Sequence, residues 1–188
     1  RWLAQGDLQN RTRELGKDVE QRLFRTSLGY RPRESSLVLS QGYALVDSQG
    51  FGAAQRDSIE HRSYQELLSP QKLGERVYLT HRVRLEQRWV EGQDFRTRAR
   101  YFIAANIPLN QSTLEPGAVY LALYNEAMIN GERNIGGDRR VRRLDRNRVY
   151  GALGYTFAPG ARVQLGIMRQ NAENVAKNQL QLGLHLAL

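Results

Sequence analysis

VYLTHRVRLEQRWVEGQDFRTRARYFIAANI, residues 77–107, is the stretch whose reading decides the fold. Every second residue from its start gives Val77, Leu79, His81, Val83, Leu85, Gln87 and Trp89; between them stand Tyr78, Thr80, Arg82, Arg84, Glu86 and Arg88. Strand side chains alternate between two faces, so one face is mostly aliphatic and the other densely charged. After Glu91-Gly92-Gln93-Asp94 the pattern resumes in phase. Phe95, Thr97, Ala99, Tyr101, Ile103, Ala105 and Ile107 share one face, and Arg96, Arg98, Arg100, Phe102, Ala104 and Asn106 the other. A helix would repeat every 3.6 residues, and this stretch repeats every two. It predicts two long antiparallel strands joined by a tight turn.

The same period extends in both directions. Upstream it predicts strands over 2–11, 20–30, 37–45 and 59–67, the last with a poorly apolar outer face of His61, Ser63 and Gln65. Downstream it predicts strands over 119–129, 146–157, 162–168 and 180–188, the last alternating leucine with Gln181, Gly183, His185 and Ala187. Polar or proline-containing reversals separate them at 12–18, 31–35, 47–57, 70–75, 108–117, 130–143, 158–160 and 171–178. About ten strands of roughly 9 to 13 residues suit a small membrane barrel. With the first strand starting on the periplasmic side, the longer reversals after strands three, seven and nine fall on the opposite side, although the turn after strand six and the hairpin at Gly92 break that trend.

The chain of 188 residues shows no composition break and is read as one domain, 1–188. It has no cysteine, so disulfides and thiolate chemistry are excluded. No apolar run approaches the roughly 20 residues of a spanning helix, so a membrane protein of this sequence must be built from strands. Arg1-Trp2-Leu3 already reads as strand, which leaves either a protein made without a signal peptide or its mature form. The net charge is +9; Lys17, Lys72 and Lys177 are the only lysines among 28 basic residues, and the other 25 are arginine. Guanidinium groups are favoured where a cation is held in partly dry surroundings by bidentate contacts to carboxylates. That bias points to an enclosed polar interior, and a nucleic-acid surface would produce it too.

Alternation alone leaves the direction of the aliphatic face open, because a soluble barrel binding an anionic ligand or nucleic acid has the same period with its arginines outside. Three features favour lipid. Trp2, Tyr30, Tyr43, Trp89, Phe95, Tyr155 and Phe157 cluster near strand ends, as interfacial girdles do. Leucine and valine dominate the aliphatic positions without the large aromatics that fill a soluble core. A hairpin at Gly92 sets Arg88 opposite Arg96, Glu86 opposite Arg98 and Arg84 opposite Arg100, and a turn centred near Lys72 would set Glu60 opposite Arg84 and Arg62 opposite Arg82. Opposed like charges need carboxylates from elsewhere, which a closed barrel supplies across its lumen. Glu60, Arg62, Arg82, Arg84, Glu86, Arg88, Arg98, Arg100, Glu126 and Arg148 are therefore the expected lumenal charge network, with Glu66 also within reach of several arginines.

The runs Glu60-His61-Arg62, Arg82-Val83-Arg84-Leu85-Glu86-Gln87-Arg88, Arg96-Thr97-Arg98-Ala99-Arg100-Tyr101, Asn125-Glu126 and Asn147-Arg148-Val149-Tyr150-Gly151-Ala152-Leu153-Gly154-Tyr155 resemble the bacterial domain of unknown function 2490. The resemblance covers most of the chain. It implies a β-barrel in the outer membrane of a Gram-negative bacterium and supplies no activity and no catalytic residues. One departure is the final Leu188, where such barrels typically end in an aromatic.

The sharpest enzymatic alternative starts from His61 and Ser63, two apart on the outer face, with Glu75 beyond them; this resembles the lipid A deacylase barrels. A nucleophile and base need an orienting carboxylate in reach, and Glu75 falls about three residue pairs from Ser63 while Glu60 and Glu66 point inward. His185 reads as a lone lumenal hydrogen-bonding group, and Gly136-Gly137 and Gly151 to Gly154 do not make phosphate loops. The run Arg139-Arg140-Val141-Arg142-Arg143 is a solvated loop, or on a cell surface a site for lipopolysaccharide phosphates. The expectation is thus an all-β, closed, antiparallel up-and-down transmembrane barrel, largely filled by side chains. It is expected to act without catalysis, metal or cofactor, with outer-membrane lipids, lipopolysaccharide and a small anionic solute as partners and no nucleic acid.

Overall fold

The computed structural model describes residues 1–12, 19–50, 57–172 and 175–186. Wherever the period of two persists the chain is strand: β1 (Trp2–Thr12), β2 (Val19–Tyr30), β3 (Val38–Ser48), β4 (Ser58–Leu73), β5 (Val77–Val90), β6 (Arg96–Pro108), β7 (Val119–Asn130), β8 (Leu144–Ala158), β9 (Ala161–Ala172) and β10 (Val175–Leu186). They form one sheet of ten antiparallel strands in the order β1 to β10, an up-and-down meander in which each strand bonds to the next in sequence. The expected first turn, the centre of the 47–57 loop and Leu188 lie outside the described residues.

Contacts group the chain into two units, one of 1–67, 84–99 and 130–143, the other of 68–83, 100–129 and 144–188. In the first, register aligns Leu8 with Phe24 and Phe24 with Leu45. In the second, Leu121, Leu153, Leu165 and Leu182 stand in one row across β7, β8, β9 and β10. These aliphatic faces are the exposed ones. Leu8 is 82% and Leu182 77% exposed, whereas Glu86 is 1%, Arg98 3% and Glu126 3% exposed.

Two expected boundaries move. β4 runs through Pro70 to Leu73, and the reversal is the short turn 74–76, where Gly74 adopts a left-handed φ of 58°. Proline's locked φ lies within the extended region, so Pro70 costs one ladder donor without breaking the strand. The expected 171–178 loop is mostly strand, since β9 reaches Ala172 and β10 begins at Val175, with Lys177 aligned to Gln170. Ladder bonds come from the main chain, so polar side chains on a solvated end do not stop them.

Glycine in β3 and β8 makes room for tyrosine. A Cβ on Gly42 would fall 2.1 Å from Tyr64 Cζ, and one on Gly154 would fall 2.2 Å from Tyr120 Cζ. Tyr64 and Tyr120 are buried, and Tyr64 donates a hydrogen bond to the Thr26 carbonyl at 3.3 Å. Neither ring can retreat without opening the packing around it. Gly42→Ala and Gly154→Ala are each expected to destabilise the fold by about 1–3 kcal/mol, read from urea unfolding. Gly6→Ala, whose added methyl meets nothing nearer than 3.9 Å, is expected to be close to neutral in the same assay.

Candidate functional site

The even-numbered residues of β4 to β8 fall on the buried face, and that parity gathers the charged groups. In the first unit, Glu60 receives two parallel bonds from Arg62, Nε to Oε1 at 2.8 Å and Nη2 to Oε2 at 2.7 Å, and a further one from Arg88 Nε. Glu66 accepts from Arg84 Nε at 2.7 Å, and the Arg84 guanidinium lies 4.1 Å from the centre of the Tyr64 ring. Arg84 Nη1 also stands 3.8 Å from Glu86 Oε1. Glu86 Oε2 accepts from Arg98 Nε at 2.8 Å and Nη2 at 2.6 Å. The result is a relay of alternating charge, Glu66 to Arg84 to Glu86 to Arg98, beside the triplet Arg62, Glu60 and Arg88.

In the second unit a single carboxylate takes three cations. Glu126 Oε1 accepts from Arg100 Nη2 at 2.5 Å and Arg82 Nη2 at 2.8 Å, and Oε2 from Arg148 Nη1 at 3.4 Å. Register sets Glu126 directly opposite Arg148. Arg148 Nε is held in turn by Gln170 Oε1 at 2.8 Å. Arg82 lies 4.4 Å from the centre of the Phe102 ring, which begins an aromatic row: Phe102 to Tyr124 at 5.2 Å and Tyr124 to Tyr150 at 4.7 Å.

All ten expected network residues thus sit in one or other cluster, but two pairings are corrected. Glu60 does not oppose Arg84, nor does Arg62 oppose Arg82. The Glu91 N–H bonds to the Ile59 carbonyl at 2.9 Å, so Arg84 meets Glu66 and Glu60 meets Arg88. The cause is the turn, which centres on residue 75 and not on Lys72, moving each partner by six residues. Tyr64, Phe102 and Gln170 were missed as partners; even parity was the available signal for Tyr64 and Phe102, each of which shares a strand face with network residues, whereas Gln170 lies beyond the expected end of its strand at 168.

The outer face sorts differently. His61 Nδ1 is hydrogen-bonded to the Tyr43 hydroxyl, and Ser63 Oγ accepts from Gln41 Nε2 at 2.9 Å. Of the seven aromatics expected at strand ends, all are exposed, but Tyr43 is the sixth of the eleven residues of β3.

The arginine-rich segment 131–143 is ordered by hydrogen bonds to β6 and to the β5–β6 turn. Gly131 N–H donates to the Thr97 carbonyl at 3.0 Å, Asp94 N–H to the Ile135 carbonyl at 3.0 Å, and Arg139 Nη2 to the Gly92 carbonyl. Glu132 Oε2 accepts from the Thr97 N–H at 2.5 Å and from Thr97 Oγ1 at 2.9 Å, and these two donors hold its carboxyl below the usual range. Arg140 and Arg142 are exposed.

The family model described as "Protein of unknown function (DUF2490)" matches residues 1–181. An uncharacterized protein of Methylorubrum extorquens is 31% identical over 163 residues, which are 84% of this chain and 66% of that protein, so the chain spans just under two thirds of its relative's length. No solved structure matches.

Removing one partner of a buried ion pair strands the other charge and typically costs about 3–5 kcal/mol. Glu126→Gln leaves three guanidinium groups without their shared carboxylate and is expected to lose that much stability in urea unfolding. Arg148→Gln, which removes the longest of the three contacts, is expected to lose clearly less. The Glu132 carboxyl titrates lower when docked, so docking is fully stabilised above the ordinary carboxylate range and weakens as pH falls through its lowered value. Hydrogen-exchange protection of 131–143, each rate taken relative to the intrinsic amide rate at the same pH, is expected to be level above about pH 5 and to fall below about pH 4. Glu132→Gln should flatten that dependence.

Proposed function

This chain belongs to the DUF2490 family of proteins of unknown function, and we propose from that premise that its ten strands close through β1 and β10 into a barrel in a bacterial outer membrane. The observation that carries the reading is the inversion of burial: guanidinium and carboxylate groups are inside while leucines of nearly every strand are outside. A water-soluble domain rarely exposes so much contiguous apolar surface. Acyl chains are the solvent that suits it, and strands of 11 to 16 residues are long enough to cross a bilayer. Closure follows from the same solvent, since an open strand edge in hydrocarbon leaves N–H and C=O groups with no partner.

The proposed role of the lumen is first structural: ion pairs and stacked tyrosines fill a narrow bore. Its second role is to bind or pass small anions. Among the buried and half-buried even-numbered positions of β4 to β8, Arg62, Arg82, Arg84, Arg88, Arg96, Arg98, Arg100, Arg146 and Arg148 share that face with Glu60, Glu66, Glu86 and Glu126, nine cations against four anions. An excess of fixed positive charge favours anions along a pore. Exposed Arg140 and Arg142 beyond the strand ends suit contact with lipopolysaccharide phosphates.

The test is conductance of the purified protein in planar bilayers under a tenfold salt gradient. Small channels with a reversal potential of anionic sign are expected, shifted toward cations by Arg82→Glu. A silent or cation-selective protein removes anion passage. A chain that stays soluble without detergent removes the membrane barrel altogether.

A further inference from the structure

On the exposed face of the first unit, side-chain amides interrupt the aliphatic surface. Gln65 Nε2 on β4 donates to Gln41 Oε1 on β3 at 2.9 Å and to Gln87 Oε1 on β5 at 3.4 Å. Gln87 Nε2 donates back to Gln65 Oε1 at 2.9 Å, and Gln41 Nε2 to Ser63 Oγ at 2.9 Å. The row crosses three neighbouring strands, with the exposed Leu39, Leu67 and Leu85 on the same face. It lies within the strands and not at their ends: Gln41 is fourth of eleven in β3, Gln65 eighth of sixteen in β4, and Gln87 eleventh of fourteen in β5.

A primary amide carries two N–H donors and an oxygen with two lone pairs. Among the described residues, the second N–H of Gln87 and the Ser63 hydroxyl hydrogen have no acceptor, so the row has hydrogen-bonding capacity left over on this face. On the reading of this face as lipid-facing, on which the inference rests, acyl chains offer nothing to meet that capacity, and headgroups lie at the strand ends. Polar side chains within a bilayer are costly unless another protein surface satisfies them.

We propose that the row is the contact face of a homodimer, occupied by a second copy of this chain related by a two-fold axis along the membrane normal. A copy inserted in the same orientation presents the same row at the same depth, which symmetry guarantees and an unrelated partner would have to match separately. An amide is donor and acceptor at once, so the row is complementary to itself. It carries no formal charge, so two copies meet without repulsion. Beside it a depression of about 350 Å³ lined by Ile59, His61, Trp89, Val90 and Glu91 gives the face relief into which a bulky side chain of the copy fits.

The chain has no cysteine, so a single one reports proximity without background. Gln65→Cys in the full chain, oxidised in native membranes, is expected to give a disulfide-linked dimer, and Leu182→Cys on β10 is expected to give none. In mild detergent the unaltered protein is expected at twice the protomer mass. The Gln41→Leu, Gln65→Leu, Gln87→Leu variant is expected at the protomer mass with membrane insertion retained, since a leucine row suits acyl chains. An inserted but monomeric unaltered protein overturns the dimer and leaves the barrel standing, whatever the variants do. Equal cross-linking at both cysteine positions, or linkage of Gln65→Cys only to a different protein, also overturns it. Solubility without detergent defeats the membrane reading itself, and the dimer with it.

Discussion

A guanidinium group taken out of water must be met by a carboxylate, and that requirement governs this structure. Burying an unpaired charge costs several kcal/mol even after relaxation, more than most single contacts return. With few lysines, the buried face is built almost entirely from the cation that can make two directed bonds to one carboxylate while stacking on a ring. Arg62 on Glu60 shows the first of these, and Arg84 above Tyr64 the second. The relay from Glu66 to Arg98 works because each arginine stands where strand register delivers it to a carboxylate. A slip of one residue would turn every one of these groups to the aliphatic face, so the ion pairs specify register more than they add net stability.

Packing on the buried face follows from what the ion pairs leave. Where the neighbour is glycine, tyrosine occupies the space a Cβ would fill, as Tyr64 does at Gly42 and Tyr120 at Gly154. In the second unit the row Phe102, Tyr124 and Tyr150 continues from the guanidinium of Arg82. The segment 131–143 obeys the same economy of donors and acceptors by other means: backbone carbonyls at Thr97, Gly92 and Ile135 accept what the loop and turn have to donate. The segment is tied down at Gly131, Glu132, Ile135 and Arg139, while the run Arg139 to Arg143 within it, read as a solvated loop, keeps its arginines exposed.

In the proposed barrel, specificity would reside in the imbalance and not in the pairs. Paired charges hold the wall together, and the surplus of arginine gives the bore its sign. The outer face carries a second imbalance, hydrogen-bonding capacity among leucines, and each imbalance points to a different occupant: an anion within, a second copy without.

By itself the sequence determined the number of strands, their order along the chain, and which residues share a face, because a period of two is a local property of the backbone and survives without any knowledge of neighbours. Parity alone set each of the ten expected network residues on the charged face of its strand. What only the tertiary structure decided was who meets whom. The pairing of Glu66 with Arg84 and of Glu60 with Arg88 depends on a turn centred at residue 75, and a shift of the turn by three residues leaves parity unchanged while moving every partner. It also decided which face is buried. Alternation is symmetric between the two sides of a sheet, and only the packing of one strand's side chains against another's breaks that symmetry.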